Sequence, residues 1–313
     1  MTQPASGLPS AAVLAEAQGA LALRADPASG RFVGASAIAA LLFLLERARD
    51  GDDEAAGLAL AVLRRTPGGS VPSAWAAAAE AAVHVEAVEV KRDDGLEKTA
   101  RAAVDAALAA FGWNAGSDEG VDEGRLGTDA HGLMIATLAR ASLTFDAPGY
   151  REAASRAGER ALDHRVDAKW GTLLHLAGEA DRPAGLGDYA LLVRGLLELL
   201  PATGEKGWLY EAVRLQGEQE ERLWDVREGG YFESPEGAGG VARKDGSDGS
   251  FLSGNGIAAL NLIDLSRLCG ERSYRDRAEG VLRAFAAEIA PAPLEHLTLL
   301  RAAQRFERTS SSV

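Results

Sequence analysis

The sequence predicts an all-α fold, an (α/α)6 toroid of about twelve helices paired into about six hairpins. Three observations carry that reading. Hydrophobic residues make up 47% of the 313-residue chain but aromatics only 6%, so the apolar content is aliphatic and Ala-rich, which favours packed helices over a β-sandwich. Helical periodicity runs almost unbroken from Leu8 to Phe306, with no long stretch of period two. An apolar helix followed by an amphipathic one recurs along the chain, as an inner and an outer layer require.

In order, helices are expected at roughly 9–24, 35–49, 52–66, 72–90, 95–111, 129–145, 147–164, 187–201, 205–224, 254–269, 271–288 and 293–307. Asp26-Pro27, Thr66-Pro67-Gly68-Gly69, Arg182-Pro183 and Pro291-Ala292-Pro293 mark the breaks. One repeat copy is LMIATLARASLTF followed by DAPGYREAASRAGERAL (133–162). A second is ALLVRGLLELLPA with the amphipathic stretch through 223, and a third is IAALNLIDLSRL with CGERSYRDRAEGVLRAF. A weaker fourth covers 37–65. Gly51, Gly204 and Gly270 fit helix C-terminal stops. The copies start about 57 and 67 residues apart, and long insertions fall at 112–128, 165–186 and 225–252. This unevenness favours a closed ring over an open α-solenoid, which is built from the same hairpins. Residues 225–252 read as one short β-hairpin or an irregular loop. The whole chain, 1–313, is expected to be a single domain.

Charge and composition exclude several classes. Lys plus Arg is 33 and Asp plus Glu is 46, so the net charge is −13. That field disfavours nucleic acid and anionic membrane surfaces. Cys269 is the one cysteine, so neither an intrachain disulfide, a cysteine zinc site nor a dithiol redox cycle is expected. The start MTQPASGLPS lacks a signal-peptide pattern, and no apolar run is long enough to span a membrane, so a cytoplasmic protein is expected. The five histidines never fall at a ligand spacing such as HExxH, so no metal is expected. GxGxxG, P-loop and GxSxG motifs are absent, so no cofactor is expected.

The insertions all precede inner helices, so they should meet at one end of the ring, a natural small-molecule mouth. Three inner-helix starts there are polar: Thr128-Asp129-Ala130-His131, Gly187-Asp188-Tyr189 and Ser253-Gly254-Asn255. Each is equally a set of helix N-caps. Asp188 and Asp248 are the acid–base candidates, because paired carboxylates can share proton transfer. Asp129, His131, Tyr189, Ser253 and Asn255 are the candidate positioning groups, and Tyr231 or Phe232 would stack on a sugar ring. The run from Arg243 to Asp248 reads equally as a solvated loop.

The stretch from Asp129 to Phe285 resembles the C-terminal part of the thioredoxin-domain-containing, spermatogenesis-associated protein family. The matching pieces are Gly132-Leu133-Met134-Ile135-Ala136, Asp188-Tyr189-Ala190, Gly229-Gly230-Tyr231-Phe232, Lys244-Asp245-Gly246-Ser247-Asp248, Ser253-Gly254-Asn255 and Ala258-Ala259-Leu260-Asn261-Leu262. Residues 26–69 resemble, more weakly, the segment that follows the family's thioredoxin-like domain, so 1–128 is the weakly matching half. The resemblance implies a toroid similar to six-hairpin glycosidases and N-acylglucosamine 2-epimerases. The sequence departs from the family in carrying neither the thioredoxin-like domain nor its cysteine pair. It has Ala130-His131 where the family has Trp-Asn, and Gly187 where the family has Glu. The Lys-Phe-Pro segment near Ala35–Ile38 is lost, and a Gly- and His-containing stretch after Gly69 is deleted. Loss of several mouth residues together points to a degenerate, non-catalytic toroid acting as an interaction or assembly subunit for a protein partner. The alternative is a carbohydrate-active enzyme or sugar binder, epimerase- or glycosidase-like.

Overall fold

The computed structural model describes residues 8–25, 36–64, 73–113, 125–167, 169–178, 183–235 and 243–310. The expected breaks at Asp26-Pro27, Thr66–Gly69 and Arg182 lie outside those residues, as do Ala35 and Val241-Ala242. Among the described residues the chain forms thirteen α-helices and a single 3-10 turn. Extended pairing there is limited to the isolated bridges Val166–Leu173, Leu174–Pro183 and Trp224–Tyr231. No described helix is long and apolar enough to cross a membrane. The chain divides into two compact units, one of Met1–Pro67, Trp224–Phe232 and Arg243–Val313, the other of Gly68–Leu223 and Glu233–Ala242.

The second unit holds three consecutive hairpins: α4 (Ala74–Val90) with α5 (Asp94–Phe111), α6 (Thr128–Thr144) with α7 (Pro148–His164), and α8 (Leu186–Thr203) with α9 (Gly207–Leu223). The first helix of each pair is buried on most faces, and α6 packs between α4 and α8. The second helices bury one stripe and carry charge on the other face. The expected inner and outer layers are therefore present in this unit. Their ends follow local chemistry. Ser73 and Asp93 cap α4 and α5 by accepting the N–H of Ala76 (3.2 Å) and Leu96 (2.8 Å). Gly204, at φ 76°, ends α8 in the left-handed region.

The first unit contains α1 (Ala11–Arg24), α2 (Ala37–Arg49), α3 (Asp53–Leu63), α10 (Gly254–Cys269), α11 (Arg272–Ala284), α12 (Ala286–Ile289), the 3-10 turn Pro293–Glu295 and α13 (Leu297–Ser310). The expected helix over 271–288 breaks into α11 and α12 at Phe285, whose buried ring lies under Gly230 and Gly246. The expected helix over 293–307 opens as the 3-10 turn before α13 begins. α2 pairs with α3 and α10 with α11. α13 packs on α2 and α10, and α1 packs on α13 and the 3-10 turn. The helices nearest the two chain ends thus touch, which the hairpin spacing alone did not reveal. Their seam is a buried ion cluster. Glu46 on α2, with 0% side-chain exposure, accepts from Arg301 (3.1 Å), Arg305 (2.7 Å) and Arg308 (2.8 Å) on α13.

Candidate functional site

Within each unit, polar groups at or near the starts of helices form a constellation of their own.

In the first unit, the segment after α9 is a tight turn closed by one antiparallel bridge, within the hairpin-or-irregular-loop reading of 225–252. Gly229 and Gly230 both sit at φ 75°, Asp225 N–H donates to Gly230 O (3.0 Å), and Trp224 bridges Tyr231. Tyr231 is 0% exposed, its ring 5.1 Å from that of Trp224. It offers no free face for a sugar to stack on. Phe232 is half-buried, with the Lys244 ammonium 5.8 Å from its ring centre. Asn255 is fully buried and fully used. Its Oδ1 accepts Tyr231 N–H (2.8 Å), and its Nδ2 donates to Tyr231 O and Asp245 O (both 3.0 Å). Asp248 accepts Ser253 N–H (2.9 Å), Thr298 N–H (2.8 Å) and the Thr298 hydroxyl (2.5 Å). Burial pushes the Asp248 carboxyl up, and those three donors offset it in part. Ser253 is a plain N-cap, accepting Gly256 N–H at 3.2 Å. Replacing Asn255 with alanine should cost about 2 kcal/mol, since the two buried backbone groups of Tyr231 and the part-buried Asp245 carbonyl would lose their partner. Urea unfolding of the variant checks this; an unchanged midpoint and slope would remove the structural role assigned to that amide.

In the second unit, Asp188 on the first turn of α8 lies between two helix N-termini. Its Oδ2 accepts Gly185 N–H (2.9 Å) at its own helix start, and its Oδ1 accepts Asp129 N–H (3.0 Å) at the start of α6. His175 Nδ1 lies 3.0 and 3.1 Å from the two oxygens. Asp188 is 4% exposed, whereas the His175 side chain is 37% exposed. Asp129 is half-buried, and its Oδ1 accepts Ala130 N–H at 2.8 Å. Burial raises its carboxyl above the ordinary range, and the nearby Asp188 charge raises it further. Asp129, His175 and Asp188 each bring one ligand-type atom to a common point, all within 4.8 Å of one another.

The other residues expected here belong to the core. His131 is buried between Phe111 and Trp113, with ring centres at 5.8 and 5.4 Å. Burial, and then the Arg165 charge, lower it to about 3, so it is a neutral ring at physiological pH. Its Nδ1 faces Gly127 O (3.1 Å) and its Nε2 faces Arg165 Nη2 (3.1 Å). Tyr189, 1% exposed, donates to Glu218 Oε1 at 2.5 Å. Burial and the Glu218 carboxylate hold that phenol well above its usual range. The Thr128 hydroxyl donates to Leu174 O (2.6 Å) and Arg165 donates to Thr128 Oγ1 (3.1 Å), so the segment carrying His175 is strapped to α6.

His175, Arg165, Glu218 and Thr298 are hydrogen-bond partners of the candidate residues that the sequence did not single out. A search for ligand spacing within one helix cannot find His175, which reaches Asp188 from the long insertion before α8. The signal that could have found it is its position in an insertion preceding an inner helix that carries an aspartate in its first turn.

The chain is similar to spermatogenesis-associated protein 20. The Homo sapiens protein of that name is 37% identical over 131 residues, 41% of this chain and 17% of that protein. The Mus musculus protein is 35% identical over the same length. An uncharacterized Caenorhabditis elegans protein is 24% identical over 200 residues, 61% of this chain and 27% of its own length. The match therefore spans about a sixth of spermatogenesis-associated protein 20, taking 17% as its share. No protein-family model matches the chain. Among solved structures, an unsaturated glucuronyl hydrolase specific for heparin superposes with TM-score 0.70 at 13% identity, covering 96% of this chain and 99% of that one. A D-mannose isomerase superposes with TM-score 0.66 at 14% identity, covering 91% and 87%. A Bacteroides thetaiotaomicron α-mannanase gives 0.63 at 12% identity, covering 96% and 95%. These likenesses show the fold: all-α, of the (α/α)6 toroid class expected from the sequence.

Proposed function

We propose that this chain is a non-catalytic toroid that serves as an interaction or assembly subunit in the cytoplasm. The observation that carries the reading is the fate of the two expected acid–base carboxylates. Asp248 is 9% exposed and Asp188 4%, and both oxygens of each are taken by donors from the protein itself. A general acid or base needs an oxygen within reach of a substrate proton, and at both carboxylates each oxygen already accepts a backbone N–H that such a proton would have to compete with. Asn255, Tyr189, Tyr231 and His131 are likewise spent on structure. The net charge of −13 suits a basic partner.

A second reading, sugar binding, is favoured by a specific observation: His175 and Asp129 are only half-buried, beside the start of α6. The solved structures that share the fold are described as acting on mannose, mannan or a glucuronyl substrate.

Thermal-shift screening with sugars, sugar phosphates and sugar amines separates the two. The non-catalytic reading expects no stabilisation by any of them. A bound ligand at about 100 times its Kd would add about 2.7 kcal/mol, and such a gain, absent in Asp129→Asn, would replace this reading with the sugar-binding one. For the assembly role, native sizing from the source cell should place the chain in one discrete complex larger than itself. Elution as a monomer counts against it.

A further inference from the structure

We propose that Asp129, His175 and Asp188 form a binding site for a divalent transition-metal cation. The three donors come from three places: the first turn of α6, the insertion before α8, and the first turn of α8. They nevertheless converge, with one oxygen or nitrogen from each inside a common 4.8 Å span. His175 Nδ1 is already 3.0 Å from Asp188 Oδ1. A tetrahedral zinc ion with bonds of about 2.0–2.1 Å spaces neighbouring ligand atoms by about 3.3 Å. The His175–Asp188 pair is already near that spacing, and the widest pair in the cluster would close by up to about 1.5 Å to admit the ion.

Two further features point the same way. The first is steric. A Cβ at Gly127 would come closer than 3.0 Å to both Asp129 Oδ1 and His175 Cε1. Glycine at that position leaves the carboxylate and the imidazole room to meet, and any larger residue there would make one of the two side chains shift. The second is electrostatic. Two carboxylates sit together at a largely buried point, and their mutual repulsion is what a dication relieves. The donor chemistry also narrows the ion. One imidazole nitrogen with two carboxylate oxygens suits zinc or manganese better than a soft, thiolate-seeking metal. Binding through Nδ1 requires its lone pair, so the ring proton moves to Nε2 and the His175–Asp188 hydrogen bond gives way to shared ligation. The ion would also tie the starts of α6 and α8 to the insertion, a structural use that needs no catalysis. It is therefore independent of the non-catalytic reading.

Isothermal titration of the tag-free chain with Zn2+ alone tests the site, beside titrations of Asp129→Asn and His175→Ala. Asp188 is left intact because it caps two helices. The expected result is saturable binding by the wild type, with affinity falling about tenfold or more in each variant. Co2+ supplies a second readout: the visible spectrum of the loaded wild-type chain should change in His175→Ala as the nitrogen ligand is lost. Circular dichroism confirms that the variants fold. His175 is half-exposed, and Asp129→Asn removes a like-charge contact, so both should hold their helical signal. Absence of saturable Zn2+ binding by the wild type overturns the proposal. So does wild-type affinity in both variants, which would place the ion on surface carboxylates. A sugar that binds without metal would leave this result untouched, so failure of one reading is distinguishable from failure of the other.

Discussion

Replacing Glu46 with alanine is expected to destabilise the protein by about 3–5 kcal/mol, the largest loss for any single substitution considered. Glu46 is fully buried on α2, and its carboxylate takes Arg301, Arg305 and Arg308 of α13 together with Arg49 of its own helix (3.4 Å). Arg301 and Arg305 have side-chain exposures of 7% and 13%. Removing the carboxylate leaves their charge in a low-dielectric seam, which is why the loss exceeds the worth of a surface ion pair. Gln304 Nε2 also donates to the Glu46 carbonyl (3.2 Å), so the backbone of α2 keeps one tie to α13 in the variant. Urea unfolding at neutral pH measures the effect.

The same residue sets a pH dependence. Burial opposes the Glu46 charge, but Arg305 and Arg301 reverse that and hold the carboxyl far below the ordinary range. A group depressed on folding stabilises the folded state above its unfolded pKa, about 4.3 for glutamate, and that contribution drains away as pH falls below it. The wild type should lose stability steeply between about pH 4.3 and 2, and Glu46→Ala should lose less over the same range. Equal acid slopes in the two proteins would show that the cluster does not couple to protons as described.

Gly132→Ala is expected to destabilise by about 3 kcal/mol or more, against the direction that helix propensity gives. Alanine is favoured over glycine inside a helix by about 1 kcal/mol. At this crossing, however, a Cβ would come closer than 3.0 Å to Leu191 C, Leu191 O and Leu192 N, all backbone atoms of α8. Backbone cannot rotate aside as a side chain can, so the two helices must part, and overpacking of this kind costs more than the propensity gain. The contact is reciprocal: a Cβ at Gly195 would lie 2.9 Å from Gly132 O. Gly187→Ala is the control, because open space surrounds that position and propensity alone should act. A Gly132→Ala protein as stable as Gly187→Ala would mean that α6 and α8 do not approach as closely as described.

Most helices were legible in the sequence because their causes are local. Residue spacing at 3.6 per turn reports which side is buried, and Ser253 announces its own helix start as a cap. The alternation of apolar and amphipathic helices likewise announced the two layers before any packing was seen. The polar starts of α6, α8 and α10 could also be picked out, since polar side chains at the head of an apolar helix stand out from the pattern.

What those polar groups do was decided only by the tertiary structure. Asn255 meets Tyr231 across 24 residues and Asp248 meets Thr298 across 50, so two groups that read as a site are spent on holding loops. His175 finds Asp188 through an insertion with no helical period to place it. Glu46 finds Arg301 across 255 residues, a pairing that no local spacing encodes. Periodicity tells a residue which way to face. Which partner it finds there depends on how distant segments close in space, and a buried polar group must be satisfied by whatever that closure brings.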